Sequence, residues 1–245
     1  MAVVRLPFGG YLGALRADLT RIATAAAGRL DAPVPTCPGW DVAELARHLA
    51  AVYGRWLVQV EAADPSRRHE APALGVGDPL ALLEEQSGRL LAALEAAGEE
   101  APCWNWTGEE PTTGWLARRL AHETSIHRVD AELATGPVSP IERSLALDGV
   151  AERLELLAAP GYGDRLARDS LGGRLCLQCA DAEAAWVVEV DRRRLRFSAG
   201  SGPAAATVRG PASALDRFVW NRLGLEALEL RGDPSVAAAF SSLPG

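Results

Sequence analysis

The sequence predicts an α+β protein in which a four-helix bundle precedes a smaller domain of short strands and helices. Three observations carry this expectation. Up to Gly136, apolar residues recur every three or four positions in four long stretches separated by proline- and glycine-rich connections. After Gly136-Pro137-Val138-Ser139-Pro140 the spacing shortens to the alternation of strands. The 245 residues, 48% of them hydrophobic, suffice for two cores. The expected domains are residues 1–136 and 137–245.

In the first domain, Leu12, Leu15, Leu19, Ile22 and Ala26 form one stripe and predict a helix from Tyr11 to Leu30. Pro33, Pro35 and Pro38 then predict an extended loop. A second helix runs from Asp41 to about Val60. Asp41 can cap it, Glu44 stands three residues later as a capping box requires, and Trp40 can staple onto Leu45. Residues 67–78 read as loop. The third helix runs from Pro79 to about Ala97 on Leu80, Leu83, Leu90, Leu91 and Leu94. A loop with Trp104 and Trp106 leads to the fourth helix, from about Thr113 to Ala134, which stops at Gly136. Four amphipathic helices with long connections make a bundle.

In the second domain Ile141 to Ala159 reads as a helix. Strands are expected at Arg174–Cys179, Ala185–Val190, Arg194–Phe197 and Ala205–Val208, with Arg192, Arg193 and Arg194 at a hairpin tip. Pro211–Arg222 reads as helix, Leu228–Leu230 as a strand and Pro234–Ser242 as a last helix.

A net charge of −7 argues against broad attraction to nucleic acid or anionic lipid. No signal-peptide core and no apolar run long enough to span a bilayer are seen, so a cytoplasmic protein without a membrane partner is expected. Four cysteines are too few for a disulfide scaffold and fit reduced thiols. A monomer or homodimer is expected.

Glu123 and His127 stand four apart on the fourth helix, hence on one face. They continue the stripe of Leu116 and Leu120. His48, three residues after Leu45 and four before Val52, points with the apolar stripe of the second helix. Two imidazoles and a carboxylate on two facing helices suit Zn²⁺ with an open fourth position, and suit Fe²⁺ or Ni²⁺ as well. A buried carboxylate also needs a cation. The same residues read more plainly as a helix side-chain contact and a core histidine. His122 points about 100° away from Glu123 and makes a poor pair with His127. Asp41 or Asp130, as a fourth protein ligand, would close the site against substrate.

The segment Cys37-Pro38-Gly39-Trp40-Asp41-Val42-Ala43-Glu44-Leu45-Ala46-Arg47-His48-Leu49 resembles the first signature of the mycothiol-dependent maleylpyruvate isomerase family, and Ala121–Glu132 resembles the second. The resemblance implies a DinB-like four-helix metal-binding domain followed by a small α/β domain, with zinc held by His48, Glu123 and His127. It further implies mycothiol as a thiol cosubstrate that adds to an activated double bond, permits rotation and leaves. Phe218-Val219-Trp220-Asn221-Arg222 resembles the family's tryptophan-to-arginine segment, which makes Arg222 the candidate catalytic residue for an anionic substrate. The family usually has Gly where Asn221 stands. An Arg closing a helix is the plain alternative.

No protein thiol is required by that chemistry. Cys37, in a proline-rich turn, reads as a small apolar filler. Cys176 and Cys179 face opposite sides of a strand and make a poor metal or redox pair. Trp104, Trp106 and Trp115 can wall a pocket or belong to the core. The expected function is a zinc-dependent isomerase or thiol transferase acting with a small thiol on a small electrophile. The competing expectation is a non-catalytic metal-binding, sensing or ligand-carrying protein.

Overall fold

The computed structural model describes residues 5–159, 173–191 and 194–243. These fall into two compact units: Pro7–Ser139, and the residues from Pro140 on together with Arg5 and Leu6. The division lies a few residues beyond position 136, because Glu132 accepts the Ser139 N–H at 2.8 Å and Arg128 donates to the Ser139 carbonyl at 2.6 Å. Those bonds keep residues 137–139 with the bundle.

The first unit holds α1 (Phe8–Ala26), α2 (Val42–Ala62), α3 (Pro79–Ala97) and α4 (Thr113–Thr135). α1 packs on α4, α2 packs on α3, and α2 also meets α4. α1 lies three to four residues upstream of its expected span. Pro7 serves as its N-cap, and Gly28 at φ 68° takes the chain out of the helix beyond Ala26. Leu15, Ile22, Leu49, Tyr53, Leu90, Leu94, Leu116 and Leu120 close the core, each 1% exposed or less.

α4 departs most from a simple amphipathic pattern. Arg118, Arg119, His122, Thr124, Ser125, His127, Arg128 and Asp130 are all buried on it. Polar groups surrounded by protein need partners. Arg128 meets Asp18 of α1 at 3.2 Å and Glu132 at 2.8 Å, and Tyr53 and Thr124 share a hydrogen bond of 2.7 Å.

The second unit begins with α5 (Arg143–Ala158), capped by Glu142, two residues later than expected. Its five-stranded sheet has the order β3-β2-β1-β4-β5 from β1 (Leu175–Cys179), β2 (Ala185–Asp191), β3 (Arg194–Ala199), β4 (Ala206–Gly210) and β5 (Glu229–Gly232). β1 pairs parallel to β4 and antiparallel to β2. Asp191 is paired with Arg194 across β2 and β3, while Arg192 and Arg193 lie outside the described residues. α6 (Ala212–Val219) and α7 (Pro234–Ser241) pack on β1 and β4, and α5 packs on α6. α6 ends three residues short of Arg222, because Asn221 turns to a left-handed φ of 59°. The α+β class expected from the sequence is the class observed. No described helix is long and apolar enough to cross a membrane.

Candidate metal centre

Two helices of the bundle and two loops build the site. The Asp41 carboxylate accepts the Glu44 N–H at 2.8 Å, and Glu44 accepts the Asp41 N–H at 3.0 Å, so the expected capping box fixes the first turn of α2. His48 follows on that helix, with the Trp40 ring 4.9 Å from its own, centroid to centroid.

The proline-rich segment before α2 is not a free extended loop. Val34 N–H donates to the Trp40 carbonyl at 2.9 Å and Val42 N–H to the Ala32 carbonyl at 3.0 Å, so the chain doubles back. Gly39, at φ 85°, makes the return possible. The turn brings Thr36 and Cys37 to α4, where both donate to the carboxylate of Asp130.

The three candidate ligands converge. Glu123 Oε1 lies 3.3 Å from His127 Nε2 and 3.7 Å from His48 Nε2. All three side chains offer ligand atoms within 4.8 Å of one another. Nitrogen and oxygen ligands at about 2.0–2.1 Å from a tetrahedral zinc ion stand about 3.4 Å apart, so this spacing fits a shared cation. The second oxygen, Glu123 Oε2, accepts from Arg119 at 2.6 Å. The other nitrogen of His127, Nδ1, lies 2.9 Å from Asp130 Oδ2. A carboxylate on the far nitrogen fixes the tautomer and aims the near nitrogen, as is usual for metal-bound histidines.

The electrostatics follow from these contacts. Burial pushes the Glu123 carboxyl up, but hydrogen bonds to His127 and His48 and the charge of Arg119 together hold it well below the usual range. Burial pushes His127 down, yet Asp130 and Glu123 raise it to about 9 in the metal-free protein. One expectation needs correction. Glu123 is only partly enclosed and does not lack a counter-charge: its side chain keeps 25% exposure and Arg119 already engages one oxygen. What the carboxylate offers is a remaining oxygen turned towards two imidazoles.

Neither proposed fourth ligand closes the site. Asp41 is spent on the α2 cap, and Asp130 lies on the far side of the His127 ring. Cys37, His127 and Asp130 form a second close group. There, Thr36 and Cys37 donate to the carboxylate and His127 Nδ1 stands at hydrogen-bond distance, which satisfies it without an ion. His122 is buried edge-on to Tyr11, away from the ligands.

A cavity of about 350 Å³ opens beside the three ligands, lined by His48, Glu123 and Arg119 at one end. Arg55, Arg68, Trp56, Trp104 and Trp106 also line it, with Val52, Gln59 and Leu120, whereas His127 does not reach its wall. Of the three tryptophans that read as pocket wall or core, Trp104 and Trp106 line the cavity and Trp115 does not, and the sequence reading missed Arg55, Trp56, Arg68 and Arg119. Two of these were visible as spacing: Arg119 stands four residues before Glu123, and Arg55 seven after His48, on the same faces.

In the second unit Arg222 donates to the Trp220 carbonyl at 2.7 Å. Asn221 before it occupies a left-handed φ, which Gly and Asn adopt most readily. Cys176 and Cys179 are buried on opposite faces of β1, and Cys179 donates to Asp181.

Residues 12–132 match the family model described as the mycothiol maleylpyruvate isomerase N-terminal domain. No curated protein sequence matches the chain. Among solved structures, the crystal structure of the mycothiol-dependent maleylpyruvate isomerase is similar at a TM-score of 0.65 and 16% identity, covering 92% of this chain and 93% of that chain. The crystal structure of a histidine-to-alanine mutant of that isomerase is similar at the same TM-score and coverage, with 15% identity. At this identity the likeness establishes the fold alone.

Proposed function

We propose, from the membership of residues 12–132 in the mycothiol maleylpyruvate isomerase N-terminal domain family, that the chain is a metal-dependent enzyme using a small thiol such as mycothiol. It would act as an isomerase or thiol transferase on a small electrophile, of which maleylpyruvate is one candidate. The observation that carries this reading is the convergence of His48 Nε2, Glu123 Oε1 and His127 Nε2 on one point at the end of an open cavity.

His48, Glu123 and His127 would hold the ion, zinc first and nickel or iron as alternatives. Such an ion supplies Lewis acidity that lowers the pKa of a nearby thiol, making thiolate available at neutral pH. The chain's residues do the rest. Asp130 orients His127, Arg119 holds Glu123 by its second oxygen, and the cavity admits a small molecule from one side. An external thiol is favoured because the protein's own are poor nucleophiles. Burial pushes Cys103 up to about 12 and raises Cys176 and Cys179, while Cys37 is spent on Asp130. None of the four cysteines is in a disulfide, which suits reduced thiols.

Elemental analysis tests the centre. Protein purified without added metal should carry about one zinc, nickel or iron ion per chain. His127→Ala should abolish that content while circular dichroism stays helical. Full metal in the folded variant would refute the centre. Assays with mycothiol and a panel of electrophiles then separate the chemistries, since a free isomerised product marks an isomerase and an accumulating thioether a transferase.

A further inference from the structure

The cavity beside the candidate ligands has two properties that a pocket for a small aliphatic electrophile does not need. One wall is aromatic. Trp56 stands with its ring centroid 5.7 Å from Trp106 and 6.2 Å from both Trp104 and Trp115, and Trp106 meets Trp115 edge-on at 5.0 Å. Trp106 is 49% exposed, one of two large hydrophobic side chains left in solvent among the described residues. Exposed indole at a cavity mouth costs hydration free energy that a stacked ligand would recover.

The charge of the lining is also inverted relative to the chain. The protein carries −7 overall, yet the cavity gathers Arg55, Arg68 and Arg119 against one carboxylate, Glu123. Arg119 is engaged by Glu123, which leaves Arg55 and Arg68. Both are exposed, and among the described residues neither has a carboxylate partner. Arg68 stands over the Trp104 ring at 6.0 Å, so cation and aromatic face are presented together. Gln59 adds no recognition, because its amide is consumed by the Arg55 carbonyl and the His69 backbone.

From this juxtaposition we propose that the cavity binds an aromatic carboxylate, its ring against Trp56, Trp104 and Trp106 and its carboxylate on Arg55 and Arg68. Arginine suits this task because its planar fork pairs with both carboxylate oxygens. The volume of about 350 Å³ lies near the low end for small-molecule sites and limits the ligand to a single-ring body. The inference deepens the proposed function by naming the class of group by which the cavity holds its ligand, and rests on that reading only for what happens after binding.

The test is calorimetric titration of the full chain with benzoate, benzamide and cyclohexanecarboxylate, with metal content measured on the same samples. Benzoate should bind and quench tryptophan fluorescence. Benzamide lacks the charge and cyclohexanecarboxylate the flat face, and each should bind about tenfold more weakly or worse. Arg55→Gln and Arg68→Gln should each weaken benzoate about tenfold and leave benzamide unchanged. Trp106→Leu, at an exposed position that folding does not depend on, should weaken benzoate and reduce the quenching. Equal affinity for the three probes, or no benzoate binding by folded protein that holds its metal, overturns the aromatic carboxylate and leaves the metal centre standing. The expected preference in protein that holds no metal supports the subsite and counts against the centre alone.

Discussion

His127 carries two carboxylates, one on each ring nitrogen, and their joint pull decides its proton. Glu123 stands 3.3 Å from Nε2 and Asp130 2.9 Å from Nδ1, so the metal-free imidazole stays protonated up to about pH 9. A cation and that proton compete for Nε2. Zinc titrated into metal-free protein at pH 7.5 should therefore release about one proton, read as a dependence of the binding enthalpy on buffer ionisation. Apparent affinity should rise with pH and level off above about 9, and Asp130→Asn should move that plateau to lower pH. Arg128 makes a second residue-scale case. It is 1% exposed and neutralises Asp18 and Glu132. Arg128→Ala takes the buried counter-charge from Asp18 and leaves Glu132 with its Ser139 contacts alone, and should cost about 3–5 kcal/mol in denaturant unfolding. Burial already places the Asp18 carboxyl above its usual range despite Arg128. An acid whose folded pKa is raised destabilises when ionised, so the variant's deficit should shrink as pH falls and Asp18 takes up a proton. Both partnerships escaped the sequence reading: Asp130 shares a helix face with His127 but reads there as a fourth metal ligand, and Asp18, more than a hundred residues from Arg128, carries no local signal.

Helices were legible where an apolar stripe recurs, and loops were not, because their conformation is set by single hydrogen-bonding residues. The loop bearing Trp104 and Trp106 shows this. Asn105, 5% exposed, uses its carbonyl oxygen for the N–H groups of Thr107 and Gly108 and the Thr107 hydroxyl, and its amide for the carbonyls of Glu109 and Glu110. Cys103 N–H closes the base on the Pro111 carbonyl at 2.8 Å. One buried side chain thus shapes the segment that presents two cavity tryptophans. Asn105→Ala should cost about 1 kcal/mol or somewhat more by removing the hydrogen bonds that shape the loop. It should also loosen the wall, seen as faster acrylamide quenching of tryptophan, while far-ultraviolet dichroism stays unchanged because α3 and α4 are intact. The turn before α2 follows the same logic. Three prolines suggested extension, but Gly39 and backbone bonds fold the segment back and carry Thr36 and Cys37 to Asp130.

At the scale of the whole chain, the period changes near Gly136 and the structure divides into compact units at Ser139–Pro140, while the two signatures pick out three candidate ligands on α2 and α4. The cavity was harder to read, since its walls come from α2, α4 and two loops distant in sequence. That arrangement makes the centre a link within the bundle. α2 and α4 meet less extensively than α1 with α4 or α2 with α3. A cation joining His48 to Glu123 and His127 would therefore cross-link the bundle at one of its thinly packed seams. Anything that binds only the folded state stabilises it by mass action, about 2.7 kcal/mol at a free concentration one hundred times Kd. Chelation should lower Tm, added zinc should restore it in a concentration-dependent manner, and His48→Ala should remove the response. Hydrogen exchange should locate the effect: stripping the metal should raise exchange most in α2 around His48 and in α4 around Glu123, because those turns lose the bridge. If chelation leaves Tm and exchange in both turns unchanged while metal content falls, the ion bridges nothing between α2 and α4, and the three-ligand assignment fails with it.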